Sequence, residues 1–203
     1  MKLNIYLTVT AFLLATTVSI NAQTEKTVVS PPNTATVKAP MSGKTVAPAF
    51  NLTSLEGKKL ELAALRGKVI VLNFWFTGCA PCVAEMPKLN ELVEKFKNED
   101  VVFIAPTWDT ESVSQDFLKK TTFKYNVVAN AINLIVRSYR DGTGNVAMPT
   151  QIIIDKEGNI EKRITGSLLK TDGDTKQFEE FSDIITRLVK KPYVKETEKP
   201  SAP

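Results

Sequence analysis

Two cysteines, Cys79 and Cys82, are the residues of this sequence whose type and spacing most clearly indicate chemistry. They precede a run of apolar residues with helical spacing, so the pair is expected at the start of a helix. At that position the unpaired backbone N–H groups and the helix dipole favour the thiolate of Cys79. Cys82, one turn further in, is expected to be more buried and less acidic. This asymmetry suits dithiol exchange, in which Cys79 attacks a partner disulfide and Cys82 resolves the mixed disulfide.

Other roles for the cysteine pair remain open at this point. A structural disulfide normally closes a longer loop, because the gain in chain entropy grows with loop length. A metal site would need further ligands, which only carboxylates or another chain could supply in a sequence without histidine. Chance spacing is the third alternative. Three features together favour redox chemistry: the spacing, the expected helix start, and the signal peptide that residues 1–22 indicate, as described below.

The composition narrows the possible chemistry further. Among 203 residues there are no histidines, which excludes a Ser-His-Asp triad, a Cys-His nucleophile pair and imidazole-ligated metal sites. The formal charge is +4, from 26 Lys and Arg against 22 Asp and Glu, without long runs of one sign. Nucleic-acid binding therefore has little support. We expect no metal and no cofactor apart from a redox-active Cys79–Cys82 disulfide.

The chain divides by composition into four parts. Residues 1–22 have the positive start, apolar stretch and small residue before a cleavage point that are typical of a secretory signal peptide. An uncleaved N-terminal membrane anchor is the alternative reading. Residues 23–45 form a linker rich in Pro and Thr, and residues 191–203 form a disordered polar tail. The folded domain is expected over residues 46–190, exported to the periplasm or another extracytoplasmic space.

Hydrophobic periodicity in the folded part predicts an α/β domain with a mixed central sheet, helices on both faces and an N-terminal β-hairpin. The expected strands cover residues 49–52, 59–62, 68–75, 100–107, 125–128, 150–155 and 159–164. The expected helices cover residues 81–97, 110–119, 132–140 and 174–190.

The segment Phe74-Trp75-Phe76-Thr77-Gly78-Cys79-Ala80-Pro81-Cys82-Val83-Ala84-Glu85-Met86-Pro87 resembles the active-site segment of thioredoxin-fold thiol-disulfide oxidoreductases, specifically the exported bacterial TlpA/ResA-like group. Ala47-Pro48-Ala49-Phe50, Leu65-Arg66-Gly67-Lys68 and Met148-Pro149-Thr150 support the same resemblance, which extends over residues 46–190. It implies a thioredoxin-like fold and disulfide exchange with exported proteins.

Glu85 is the candidate acid–base residue beside the cysteines. It lies three residues beyond Cys82, on the same helix face as that thiol. In the TlpA/ResA-like group, the acidic residue at this position is associated with cysteine reactivity. We hypothesise that Glu85 helps to deprotonate Cys82, with a raised carboxyl pKa if it is buried. The alternative is a solvated glutamate paired with Lys88. Asn73 stands where thioredoxins have a buried Asp, so no proton shuttle is available there.

The resemblance also implies a substrate-binding set. Thioredoxin-like proteins carry a cis proline at the position of Pro149, and the Met148 backbone would pair with an extended substrate segment. Gly78 stands where many relatives have Trp, which removes a large contact surface. The predicted substrate-binding residues are Met148, Pro149, Trp75, Ala80 and Pro81. Of these, Trp75 is expected mainly in the core, with an edge at the rim of the site.

The sequence therefore predicts an exported thiol-disulfide oxidoreductase, acting as a reductase in general thiol reduction or cytochrome c maturation. We expect a monomer that is recharged by a membrane electron donor. One alternative is a peroxiredoxin-like thiol peroxidase; those sites place Thr three residues before the reactive Cys, whereas Thr77 is two before Cys79. The other is a non-catalytic binding module of thioredoxin fold.

Overall fold

The computed structural model describes residues 44–140, 144, 146–169 and 175–194, and every structural statement below refers to these ranges. The predicted signal peptide lies outside them, as do most of the predicted linker and tail. Within the described ranges, no helix has both the length and the apolar character needed to cross a membrane.

The described residues form the strands β1 Thr45–Val46, β2 Asn51–Thr53, β3 Lys59–Glu61, β4 Val69–Phe74, β5 Val101–Pro106, β6 Asn126–Val128, β7 Thr150–Ile154 and β8 Asn159–Thr165. Six of these strands form one mixed sheet in the order β1-β8-β7-β4-β5-β6, and β2 and β3 form a separate antiparallel hairpin. The central strand β4 is parallel to β5 and antiparallel to β7.

The described part of the chain also contains three α-helices: α1 Ala80–Lys95, α2 Glu111–Leu118 and α3 Lys176–Lys190. A short π-helical turn covers Leu134–Ser138. Each α-helix begins or ends close to its predicted boundary, since amphipathic spacing is a strong sequence signal.

Strand β4 separates two hydrophobic clusters, because successive side chains of a strand point to opposite faces of the sheet. Val69 and Val71 pack with residues of α1 and α3 on one face. Ile70 and Leu72 pack on the other face with the hairpin and the π-helical segment. The continuous apolar run of β4 is thus explained by burial on both sides.

Two local features differ from the sequence expectations. Strand β1 pairs with β8 and begins at Thr45, one residue before the predicted start of the domain. The predicted α-helix over residues 132–140 is largely a π-helical turn, in which the Tyr139 N–H donates to the Leu134 carbonyl five residues earlier. The wider turn accompanies the burial of Tyr139, whose hydroxyl donates to the Pro48 carbonyl at 2.8 Å.

Candidate active site

Cys79 and Cys82 are joined by a disulfide at the start of α1, with 5.3 Å between their Cα atoms. Cys79 is the N-cap residue, and its Sγ accepts a hydrogen bond of 3.3 Å from the Cys82 N–H. Pro81 occupies the first turn, where a missing N–H costs nothing. Both cysteines are buried, Cys79 to 5% exposure and Cys82 to 1%. The predicted helix-start position is confirmed, and the expected difference in burial is small in the oxidised state.

The turn before the disulfide is fixed by two hydrogen bonds. The Cys79 N–H donates to the Phe76 carbonyl at 3.1 Å, which closes the turn. The Thr77 N–H donates to a carboxylate oxygen of Asp109 at 2.7 Å. Asp109 follows β5, so its carboxylate ties the segment before the cysteines to the neighbouring strand. This contact stabilises the backbone on which Cys79 is presented.

Glu85 is fully buried on α1 and accepts four hydrogen bonds. Its Oε1 atom accepts from Nε2 of Gln151 at 2.5 Å and from Nδ2 of Asn73 at 3.3 Å. Its Oε2 atom accepts from the Ser167 hydroxyl at 2.9 Å and from the Leu168 N–H at 3.0 Å. We call these four donors, together with the carboxylate they surround, the Glu85 pocket. The alternative of a solvated Glu85 paired with Lys88 is wrong, because Glu85 is buried and Lys88 pairs with Glu91.

Strand alternation explains why Asn73 and Gln151 reach Glu85. Asn73 lies between Val71 and Trp75 on the face of β4 that α1 covers. Gln151 is its cross-strand partner on β7 and therefore projects from the same face. The Asn73 amide also donates to Oε1 of Gln151, which leaves the Gln151 amide group directed at Glu85. Two neutral amides thus hold one carboxyl group.

Burial raises the pKa of Glu85 above its usual value of 4.5, because removal from water disfavours the charged form. The hydrogen bonds from Leu168, Ser167, Gln151 and Asn73 act in the opposite direction, since they stabilise the carboxylate. Burial is the larger effect, so the pKa is raised. A carboxyl group with a raised pKa three residues beyond Cys82 on the same helix has the character needed for proton exchange with a thiol.

The predicted substrate-binding residues differ in how exposed they are. Ala80 and Pro81 are exposed at the start of α1, and Met148 is half-buried against the cluster that contains both cysteines. The Met148–Pro149 peptide bond is cis, as the resemblance implied, and Pro149 itself is buried. Its carbonyl accepts a hydrogen bond from the Gly166 N–H at 2.8 Å.

Trp75 is fully buried, so its expected place in the core is confirmed and the expected edge at the rim of the site is wrong. Its indole N–H donates to the Ala105 carbonyl at 3.3 Å. Its ring packs on Phe117 and Phe123, with ring centroids 5.4 Å and 5.7 Å away. The polar end of the side chain has an internal partner, and Trp75 belongs to the same hydrophobic cluster as both cysteines.

Sequence reasoning missed three members of the Glu85 pocket. Gln151 carried a usable signal, since it is a polar residue inside an otherwise apolar buried strand. Ser167 and the Leu168 N–H carried none, because they lie more than 80 residues from Glu85 in sequence. Among the described residues, no group of three or more His, Cys, Asp or Glu side chains is arranged to hold a metal ion.

A mixed sheet with a cis proline before β7, and a Cys-x-x-Cys disulfide capping α1, together define a thioredoxin-like protein with a redox-active pair. The AhpC/TSA family model matches residues 44–163. The thiol-disulfide oxidoreductase ResA of Bacillus thuringiensis subsp. konkukian is 39% identical over 141 residues, which are 69% of this chain and 76% of that protein. A ResA protein from Bacillus cereus is 42% identical over 125 residues, covering 61% of this chain and 70% of the relative.

The similarity to solved structures agrees with the similarity to the ResA proteins. The crystal structure of a thiol:disulfide interchange protein of the thioredoxin family from Chlorobium tepidum TLS superposes with a TM-score of 0.60 at 25% identity. The alignment covers 74% of this chain and 99% of that one. The chain therefore belongs to the AhpC/TSA family, and within it to the ResA-like thiol-disulfide oxidoreductases. The thioredoxin-like fold and the thiol-disulfide oxidoreductase activity predicted from the sequence are confirmed.

Proposed function

We propose that this oxidoreductase acts as a reductase, transferring two electrons from its Cys79–Cys82 dithiol to disulfides of other exported proteins. The observation that carries the exchange chemistry is the Cys79–Cys82 disulfide at the start of α1, with buried Glu85 on the same helix. The reducing direction is supported by the resemblance to the TlpA/ResA-like group. The helix start stabilises a thiolate on Cys79, and the buried carboxyl can exchange a proton with Cys82.

The reaction has two displacement steps. The Cys79 thiolate attacks one sulfur of the partner disulfide, which forms a mixed disulfide and releases the other partner sulfur as a thiolate. The Cys82 thiolate then attacks the Cys79 sulfur, which closes the Cys79–Cys82 disulfide and releases the second partner sulfur. The partner disulfide gains two electrons and the protein dithiol loses two. The released thiolates take up the protons that left Cys79 and Cys82.

Glu85 is proposed to act on the second step. In its ionised form it accepts the proton of Cys82, and so raises the fraction of Cys82 that is nucleophilic. Asn73 cannot take this role, because an amide does not ionise in the range in which thiols titrate. Within the Glu85 pocket, Glu85 is the titratable group, and the other donors orient it.

We further propose an exported protein, in the periplasm or another extracytoplasmic space, held there by a cleaved signal peptide or by an uncleaved N-terminal anchor. It acts as a monomer and needs a membrane electron donor with a dithiol to reduce its disulfide after each cycle. An apocytochrome c with an oxidised cysteine pair is the partner to test first. The resemblance to the TlpA/ResA-like group supports each of these assignments.

The test is to trap the mixed disulfide on Cys79. In the exporting cell, Cys82→Ser protein should accumulate covalent complexes that dissociate on reduction, whereas the matched Cys79→Ser/Cys82→Ser protein should not. Purified reduced wild type should in addition reduce the oxidised cysteine pair of an apocytochrome c, measured as released thiol. If no complex accumulates and no thiol is released, the reductase assignment is wrong.

A peroxidase would behave differently. It would consume hydrogen peroxide catalytically and would oxidise Cys79 before any protein disulfide is involved. A binding module without catalysis would keep its disulfide under mild reductants. Peroxide consumption and the rate of reduction by dithiothreitol, measured on the same preparation, separate both alternatives from the proposed reductase.

A further inference from the structure

Two aromatic side chains, Phe76, three residues before Cys79, and Trp108, pack against each other and are not used by the reaction described above. Their ring centroids are 4.8 Å apart with an interplanar angle of 33°. Both residues are half-buried, so each ring is partly open to solvent. We call them the aromatic pair. Phe76 packs at the border of the hydrophobic cluster that contains Cys79 and Cys82.

Residue 78, between Phe76 of the aromatic pair and Cys79, is a glycine and so carries no side chain. Gly78 is exposed and precedes Cys79 directly. A Cβ atom added at Gly78 would lie 3.2 Å from Cε2 of Phe76, so the Phe76 ring lies over the place where a side chain of residue 78 would begin. The apolar surface next to Cys79 is therefore supplied by Phe76, and a chain approaching Cys79 meets no side chain from position 78.

The aromatic pair is held in a fixed position. Phe76 belongs to the turn that the Cys79 N–H closes, and the next residue, Thr77, is tied to Asp109. Trp108 precedes Asp109, so the same loop supplies both the carboxylate that holds the turn and the ring that stacks on Phe76. The carbonyl of Asp109 in turn accepts from the Asn130 N–H at 2.9 Å. A surface ordered in advance loses little side-chain entropy on binding.

We infer that the aromatic pair binds an apolar side chain next to the attacked cysteine of the substrate, which makes Phe76 a specificity-determining residue. This inference rests on the proposed reductase function. The occupant is an extended segment of the partner protein, because the turn closed by the Cys79 N–H and the Phe76 carbonyl joins Phe76 directly to the attacking cysteine. Met148, which is also predicted to bind substrate, packs against the same cluster. Aromatic side chains add stacking to ordinary burial, so they are the favoured neighbours.

The test uses two synthetic peptides, each with one intramolecular disulfide, that differ only in carrying Phe or Ser beside the attacked cysteine. Reduced wild type should reduce the Phe peptide about three- to tenfold faster, as expected for one aromatic contact. Phe76→Ala should bring the two rates within about twofold, and Phe76→Leu should keep part of the preference. Comparing two peptides with one protein variant cancels any change in the protein's own reduction potential.

Two further variants make the result decisive. Trp108→Ala should also weaken the preference, and it leaves the turn sequence intact if Phe76→Ala fails to fold. Val113→Ala is the matched control, since Val113 is an exposed apolar residue on α2 and its loss should leave the preference as in wild type. Equal rates for the two peptides in wild type, or an unchanged preference in both aromatic variants, would overturn the inference. Failure of wild type to reduce either peptide would contradict the proposed function itself, and the inference with it.

Discussion

The Glu85 carboxylate on α1 accepts a hydrogen bond of 2.5 Å from the Gln151 amide on β7. This contact joins the helix that carries both cysteines to the strand that follows the cis proline. Gln151 is itself held by Asn73 on β4, so three elements that meet at the site share one hydrogen-bond network. The protonation state of Glu85 is therefore coupled to the packing of α1 on the sheet.

Replacement of Glu85 by Gln should slow the step in which Cys82 attacks the mixed disulfide. We expect a loss of about 100-fold, as is typical when a general base is removed. The wild-type rate should rise with pH through the raised pKa of Glu85, because the ionised carboxylate is the base. In Glu85→Gln this rise should vanish and leave only the titration of Cys82. The substrate for this measurement is a mixed disulfide between Cys79 and thionitrobenzoate. The rate at which Cys82 releases the thionitrobenzoate is followed by stopped flow.

Glu91→Gln is the matched control for this measurement. Glu91 lies on the same helix, exposed and paired with Lys88, so its loss should leave the rate and the pH profile unchanged. An identical pH profile in wild type and Glu85→Gln would remove Glu85 from the mechanism.

Gln151→Leu should raise the pKa of Glu85 further, because it removes a donor that stabilises the carboxylate. The part of the pH profile that reports Glu85 should move to higher pH, because the ionised carboxylate loses one of its hydrogen bonds. Gln151 is a positioning residue, so the readout is the pH profile rather than the rate alone.

A surface pair offers the control for Gln151. Gln115→Leu also removes a Gln–Glu hydrogen bond, here with Glu111 on the exposed side of α2, and should move nothing in the profile. If Gln151→Leu lowered the rate equally at every pH, the residue would be structural only.

The stability of the oxidised protein should depend on pH through Glu85. Its pKa is higher in the folded state than the value of 4.5 expected when unfolded, so the folded state retains the proton longer. This contribution to the free energy of unfolding is fully present below pH 4.5 and is lost as pH rises through the folded-state pKa, at about 1.4 kcal/mol per unit of pKa difference. Urea denaturation of wild type and Glu85→Gln from pH 4 to pH 8, roughly the range that brackets a raised carboxyl pKa, measures it.

Subtraction of the two stability curves removes the acidic groups common to both proteins. Asp100, beside Lys68, and Glu161, beside Arg187 and Lys44, have lowered pKa values and are present in each. The free energy of wild type minus that of Glu85→Gln should fall with rising pH. A difference that grows with pH would show that the four hydrogen bonds outweigh burial.

Lys156→Met should destabilise the fold without touching the active site. The Lys156 ammonium is mostly buried and donates to the Val189 carbonyl at 2.6 Å and the Lys191 carbonyl at 2.8 Å, at the end of α3. These bonds satisfy carbonyls that the helix leaves open. We expect a loss of about 1.5–3 kcal/mol in urea denaturation, as for hydrogen bonds of a charged donor. Lys119→Met, which breaks an exposed pair with Asp116, should cost less than about 1 kcal/mol.

The chemistry-bearing segment was predictable because its signals are local. The apolar run that became β4 and the amphipathic run that became α1 bracket the cysteines within a few residues. From that arrangement the N-cap position of Cys79 follows. The cis bond before Pro149 came instead from resemblance, since nothing in the local spacing requires it.

The partners of Glu85 were not predictable from local pattern. Whether Glu85 is solvated depends on which face of α1 packs on the sheet. Glu85 does not belong to the apolar stripe of α1, so helical spacing alone did not predict its burial. Ser167 and the Leu168 N–H reach it from the segment after β8, a contact set by tertiary packing. The expected edge of Trp75 at the rim was wrong for a related reason, because a residue next to the site in sequence can point into the core.

Asn73 determines whether the titration of the site can be assigned to a single residue. Two carboxyl groups sharing hydrogen bonds would lose their protons in macroscopic steps that belong to the pair, not to either residue. With an amide at position 73, the proton of Glu85 in the oxidised protein is governed by a microscopic constant of that one residue. Reduction then adds two thiols, and the change in that constant equals the coupling between carboxyl and dithiol. By linkage, the same coupling sets how far protonation of Glu85 shifts the equilibrium between dithiol and disulfide.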